Sequence, residues 1–152
     1  MTNLRADMVG AVLFDLDGTL ISSIPAVERC WTDLVVRANL NLGDLSELHG
    51  VPARQSIERL LGADRSDELE YWVDFLHEAE CTDTDGIVPL PGASELLEAL
   101  SAAAIPWAIV TSCTDRLARA RVAAAGLSLP SLLVTADDVS IGKPAPEPVG
   151  QC

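Results

Sequence analysis

Apolar positions along the chain follow two rhythms. Short continuous runs occur at 10–14 (GAVLF), 106–111 (PWAIVT) and 131–136 (SLLVTA). Each is bounded by glycine, proline or polar residues, the pattern of a buried parallel strand. Elsewhere the apolar residues fall at helical spacing. Val27, Trp31, Leu34, Val35 and Ala38 follow a Ser22 or Ser23 cap and Pro25, which predicts a helix beginning near Pro25. A second helix is predicted over 53–61, stopped by Gly62, and a third over 65–79, with Leu69, Trp72, Val73 and Leu76 on one face. ASELLEALSAAA predicts a helix that turns Leu96, Leu97 and Leu100 inward. Residues 114–125 predict another, with Thr114 or Asp115 as its cap and Gly126 as its stop.

The predicted order is strand, helical insert, helix, strand, helix, strand. Strands alternating with helices imply an α/β fold, a Rossmann-like, doubly wound parallel sheet. Residues 22–86 contain no convincing strand, so the expected organisation is a discontinuous α/β core over 1–21 and 87–152 with an all-helical insert at 22–86. The chain shows no internal repeat and no low-complexity segment.

Composition narrows the function. The 152 residues fit one domain carrying an insertion, and 49% apolar with 22% charged residues marks a globular chain. The net charge of −13 argues against nucleic acid, whose phosphates require a basic surface, and against an anionic membrane face. MTNLRADMVG lacks a signal-peptide pattern, and no run of about eighteen apolar residues predicts a membrane span. Cys30, Cys81, Cys113 and Cys152 are far apart and form no CxxC pair. They read as reduced thiols of a cytoplasmic protein.

The chemistry begins at VLFDLDGTL, residues 12–20. Asp15 and Asp17 sit at the carboxyl end of a predicted strand, where open α/β sheets bind ligands. Residues two apart along a strand point the same way, so the two acids converge on one volume. That is costly unless a cation or a proton is shared, and Mg²⁺, which prefers oxygen ligands, resolves the conflict. Gly18 permits a turn and close approach of the backbone to a ligand. The plain alternative is a strand end with solvated acids. A calcium loop does not fit, because alignment on Gly18 puts Leu13 and Ile24 at its first and twelfth positions. CTDTDG fails likewise, with Cys81 and Gly92 there. Thr111 and Ser112 end the second core strand just before a helix, where a hydroxyl and helix N-terminal amides can make an anion site. Lys143, between Gly142 and Pro144, follows the third strand. It is not a P-loop lysine, since Asp137 stands where that motif needs glycine and no Ser or Thr follows. No GxSxG occurs, which leaves a serine nucleophile unsupported. Residues 64–85 carry nine acids against Arg65 alone and read as a solvated face.

Together these elements resemble the haloacid dehalogenase superfamily: DLDGTL as its first motif, Thr111 in VTS as its second, GKPAP as its third. The helical insert resembles the small cap of its phosphatase and phosphoglucomutase subgroup. SIPAVERCW, HGVPARQSIERLL, GIVPLPGASELLEAL and IPWAIVTS resemble bacterial sugar- and sugar-alcohol-phosphate phosphatases. The resemblance covers roughly residues 9–148 and implies roles. Asp15 is the nucleophile that forms an aspartyl-phosphate, and Asp17 the general acid and base. Thr111, Ser112 and Gly18 belong to the phosphate site, and Lys143 offsets charge. Mg²⁺ is held by Asp15 and by the backbone carbonyl of Asp17. The cap would choose the substrate, with His49, Gly50 and Arg54 as candidate contacts. The implied substrate is a small phosphorylated molecule, with no nucleic acid or membrane partner, and the protein is a monomer.

The family's fourth motif, acids after a fourth strand that complete the Mg²⁺ site, has no counterpart here, which leads to the expectation of a truncated phosphatase whose first strand has an open edge. Asp137 and Asp138 precede Lys143 and read as loop or capping residues. Two alternatives stand beside the phosphatase: a phosphoglucomutase of the same subgroup, and a non-catalytic phosphate- or partner-binding remnant.

Overall fold

A computed structural model describes residues 10–41 and 51–151. The chain divides into two compact units, Met1–Ser23 with Ile87–Cys152, and Ile24–Gly86. No helix among the described residues is long and apolar enough to cross a membrane.

The first unit is built on three parallel strands, β1 (Val12–Phe14), β4 (Trp107–Val110) and β5 (Leu132–Val134), in the order β1-β4-β5. Leu13 lies opposite Ala108, and Ile109 opposite Leu133. The expected α/β class and parallel sheet are found. β4 is central, so its run Ala108-Ile109-Val110 is buried throughout. β1 is paired on one side only among the described residues. Its Leu13 is 38% exposed, so the strand read as buried from its apolar run is buried only in part. Helices α4 (Ala93–Ala102), α5 (Asp115–Ala124) and the short α6 (Glu147–Gly150) complete the unit. α4 buries Leu97 and Leu100, but Leu96, expected inward, is 45% exposed. Thr114 caps α5 by accepting from the Leu117 amide, as expected of a threonine just ahead of a helix.

A second, two-stranded ladder was not legible beforehand. β2 (Ile21–Ser22) runs antiparallel to β3 (Val88–Pro89), with Ile21 opposite Pro89 and Ser22 opposite Val88. The amide of Leu90 also donates to the Leu20 carbonyl at 2.9 Å. Two-residue strands leave no periodicity to detect.

The second unit is helical: α1 (Ile24–Arg37), α2 (Ala53–Leu61), a 3-10 stretch Ala63–Glu68, and α3 (Leu69–Thr82). Cys30, Trp31, Leu34, Ala38, Ile57, Leu61, Leu69, Trp72 and Leu76 form one continuous buried cluster. Each fully buried leucine or isoleucine there contributes about 1.5–3 kcal/mol. The helix expected from residue 65 starts later, because Arg65 leaves helical geometry at φ −125°, ψ 23°. Its guanidinium instead grips both Glu68 oxygens at 2.7 Å and the Ala38 carbonyl at 2.9 Å. The Trp72 indole donates to the same Glu68 carboxylate at 2.9 Å. Across the unit, Arg29 clamps Asp83 at 2.7–2.8 Å and the Asp85 carbonyl at 2.7 Å.

Candidate active site

The turn after β1 is set by Leu16. Its side chain is fully buried, and its carbonyl accepts from the amides of Leu20 at 2.9 Å, Ile21 at 3.2 Å and Thr19 at 3.3 Å. Gly18 takes φ +76°, a left-handed conformation glycine adopts without cost, and its amide donates to the Ile21 carbonyl at 2.8 Å. Burying Leu16 and closing this turn leaves Asp15 and Asp17, on either side of it, at the carboxyl end of β1.

The two acids meet different surroundings. Asp15 is nearly half exposed, and its Oδ1 accepts from Lys143 Nζ at 2.8 Å. The same ammonium donates to the Val110 carbonyl at the end of β4, at 2.5 Å. Lys143 thus ties the ends of two neighbouring strands. Its loop is shaped by Glu147, whose carboxylate accepts from the amides of Ser140 at 2.8 Å and Ile141 at 3.0 Å. Asp17 is more enclosed. Its Oδ1 accepts from Ser23 Oγ at 2.6 Å and lies 2.9 Å from Arg121 Nη1, while Cys113 Sγ donates to its Oδ2 at 3.2 Å. Arg121 also donates to Cys113 Sγ at 3.4 Å. Burial first, and then the Asp17 charge, push the Cys113 thiol up to about 12, so at neutral pH it carries its proton and can donate.

Thr111 is buried at the end of β4. Its Oγ1 accepts from the Cys113 amide at 3.1 Å, which leaves the hydroxyl proton to donate elsewhere. Ser112 beside it is exposed. The expected open amides at the start of α5 are partly committed: Asp137 accepts from the Asp115 amide at 2.8 Å, and Thr114 takes that of Leu117. Asp138 closes a capping box on Thr135. The Thr135 hydrogen bonds hold its carboxyl below the usual carboxylate range. Asp137 and Asp138 therefore serve as capping residues, as their position suggested.

A match to the model of the haloacid dehalogenase-like hydrolases spans residues 9–152. The chain belongs to this family. It is 44% identical over 136 residues to hexitol phosphatase A of Escherichia coli (strain K12), an alignment covering 89% of this chain and 63% of that protein. It is 34% identical to validoxylamine A 7'-phosphate phosphatase of Streptomyces hygroscopicus subsp. limoneus, over 92% of this chain and 68% of that one. Among solved structures, a hydrolase from Pseudomonas syringae superposes with a TM-score of 0.73 at 28% identity, covering 94% of this chain and 67% of that one.

Within this haloacid dehalogenase-like chain, Asp15, Asp17, Gly18, Thr111, Ser112 and Lys143 all fall at the ends of β1, β4 and β5 or in the loops that follow. Lys143 contacts Asp15 directly. Arg54 belongs to the helical unit and forms an exposed two-pronged pair with Glu70. His49 and Gly50 lie outside the described residues. As for Mg²⁺, the donor chemistry fits: the exposed Asp15 carboxylate is a hard oxygen ligand, and the Asp17 main-chain carbonyl could be a second. The Asp17 carboxylate is engaged by Ser23, Cys113 and Arg121. No group of three His, Cys, Asp or Glu that could hold a metal occurs among the described residues. A set of one carboxylate and one carbonyl suits Mg²⁺, which keeps several waters and binds substrate phosphate.

Sequence reading missed Ser23, Cys113 and Arg121. Ser23 is one of the two cap candidates for the first helix, beside Ser22, and its hydroxyl donates to Asp17. Arg121 did leave a signal. Leu117, Ala118, Val122 and Ala125 form the buried stripe of α5 and its end, and Arg121 lies within that stripe. A charge on a buried stripe demands a partner, and that partner is Asp17.

Proposed function

We propose that the chain is a phosphomonoesterase acting on small sugar or sugar-alcohol phosphates through an aspartyl-phosphate on Asp15. The observation that carries this reading is the exposed Asp15 carboxylate at the end of β1, with Lys143 at 2.8 Å. An accessible nucleophile beside a fixed cation suits attack on a phosphate dianion, because the ammonium offsets charge that would otherwise repel the substrate. The likeness to hexitol phosphatase A points to the substrate class.

An Asp15 oxygen attacks phosphorus and the bond from phosphorus to the sugar oxygen breaks. Asp17 in its protonated form gives its proton to that oxygen and the alcohol leaves, and the carboxylate so formed is the state that pairs with Arg121. Asp17 then takes a proton from water as the water oxygen attacks the aspartyl-phosphate. Inorganic phosphate departs and Asp15 is regenerated. The Thr111 hydroxyl, with Ser112 and the Gly18 turn, orients the phosphoryl oxygens. Mg²⁺, held by Asp15 and the Asp17 carbonyl, would supply charge neutralisation at the phosphoryl group. His49, Gly50 and Arg54 are the candidates for substrate selection.

The test is phosphate release from a panel of hexose and hexitol phosphates, with and without Mg²⁺, using Asp15→Asn as the control. Release that needs Mg²⁺ and disappears in the variant is expected. Equal release by both proteins would sink the reading.

A further inference from the structure

Asp17 is held by three side chains from three places in the sequence: Ser23 after the turn, Cys113 in the loop after β4, and Arg121 in the second turn of α5. Arg121 is the one charged donor of the three. Its side chain is 7% exposed, whereas the Asp17 side chain is 30% exposed. A guanidinium in this position is anchored by the packing of α5, between Ala118 and Val122, both buried. The contacts are divided between the carboxylate oxygens. Ser23 and Arg121 take Oδ1, and Cys113 takes Oδ2 while itself accepting from Arg121. A carboxylate gripped at both oxygens loses rotation about both its side-chain torsions. The Asp15 carboxylate has a different partner, Lys143.

From this geometry we propose that Arg121 is a positioning residue for Asp17, acting through Oδ1 directly and through the Cys113 thiol at Oδ2. The inference rests on the reading of Asp17 as the acid that protonates the leaving oxygen. A group that must hand over a proton within hydrogen-bond reach gains rate from being fixed in place. Arg121 touches no reacting atom. Its contribution is to the step in which the departing alcohol needs a proton, and not to attack by Asp15.

This separates two kinds of ester. From a hexitol phosphate the hexitol leaves as an alkoxide unless its oxygen is protonated, whereas p-nitrophenolate leaves without help. Arg121→Met should lower kcat on the hexitol phosphate by roughly 10²-fold, toward the lower end of what a general acid contributes. That loss should exceed the loss on p-nitrophenyl phosphate by about tenfold, and Arg121→Lys should restore most of the difference. Asp17→Asn supplies the reference for a lost acid and should show the same preference more strongly. Should Arg121→Met fail to fold by circular dichroism, Cys113→Ala removes the Oδ2 donor alone and is read by the same ratio. Equal losses on both esters in the Arg121 or Cys113 variant, while Asp17→Asn separates them, would overturn the positioning role and leave the proposed function standing. Equal losses in Asp17→Asn, or a wild-type chain that releases phosphate from neither ester, would remove the proposed chemistry and this inference together.

Discussion

The two units use charge in opposite ways. In the helical unit, Arg29 with Asp83, Arg37 with Asp33 and Arg54 with Glu70 lie on the surface around a continuous apolar cluster. Exposed pairs of this kind add little to stability, and the cluster does the holding. In the α/β unit, Arg119 with Asp115 is a surface pair of the same kind, but charge also converges where the strands end. Lys143 with Asp15, and Arg121 with Asp17, bring residues distant in sequence to the acids that follow one strand. Charge at a surface decorates a fold that apolar packing has already determined. Charge gathered at strand ends is placed by the fold, which brings together residues far apart in sequence. One chain thus keeps an apolar cluster ringed by surface pairs in one unit and gathers charge at strand ends in the other.

The contrast can be broken from either side. Asp15→Asn should have the largest effect, lowering phosphate release by at least roughly 10³-fold while leaving the thermal midpoint close to wild type. A variant that unfolds would erase the distinction. Leu34→Ala, at a fully buried position of the helical cluster, should cost about 3 kcal/mol in chemical denaturation. Lys143→Met should lower kcat about 10²-fold, the scale of a lost electrostatic donor at a developing charge, with little change in denaturation midpoint.

The smallest effect is expected at Glu68. Hydrogen bonds from Arg65, and then from Trp72, lower its carboxyl from 4.5 to about 2. A carboxyl depressed in the folded state stabilises above its unfolded value and loses that contribution as pH falls. Stability of the wild type should therefore decline between pH 4.5 and about 2. Glu68→Gln should lack that part of the decline. Denaturation midpoints measured across this range in both proteins check it, and parallel curves would count against the pairing.

Legibility followed the same division. The three core strands were visible as apolar runs, since burial on both faces or one leaves a compositional trace. The stop at Gly62 and the cap at Thr114 were visible because end chemistry is local. The sequence places Asp15, Asp17 and Thr111 at strand ends and Lys143 in the loop after the third strand, and the structure has them there. The β2–β3 ladder was not, because two residues cannot carry a pattern. Leu96 was assigned inward because three leucines share one stretch of α4, and only packing decides which of them faces solvent. Arg121 and Cys113 reach Asp17 through tertiary contact alone, and Cys113, read from spacing only as a reduced thiol, lies against the acid itself.

The short ladder of β2 and β3 has a consequence for how this chain can be altered. It fastens together the backbone just before the helical unit begins and just after it ends. The α/β unit therefore meets Ile24–Gly86 as a detour between two neighbouring points. Sequence inserted between points already held side by side imposes little on the scaffold that receives it. The helical unit is in this sense a graft, joined to the α/β unit's chain at two points that one short ladder holds together.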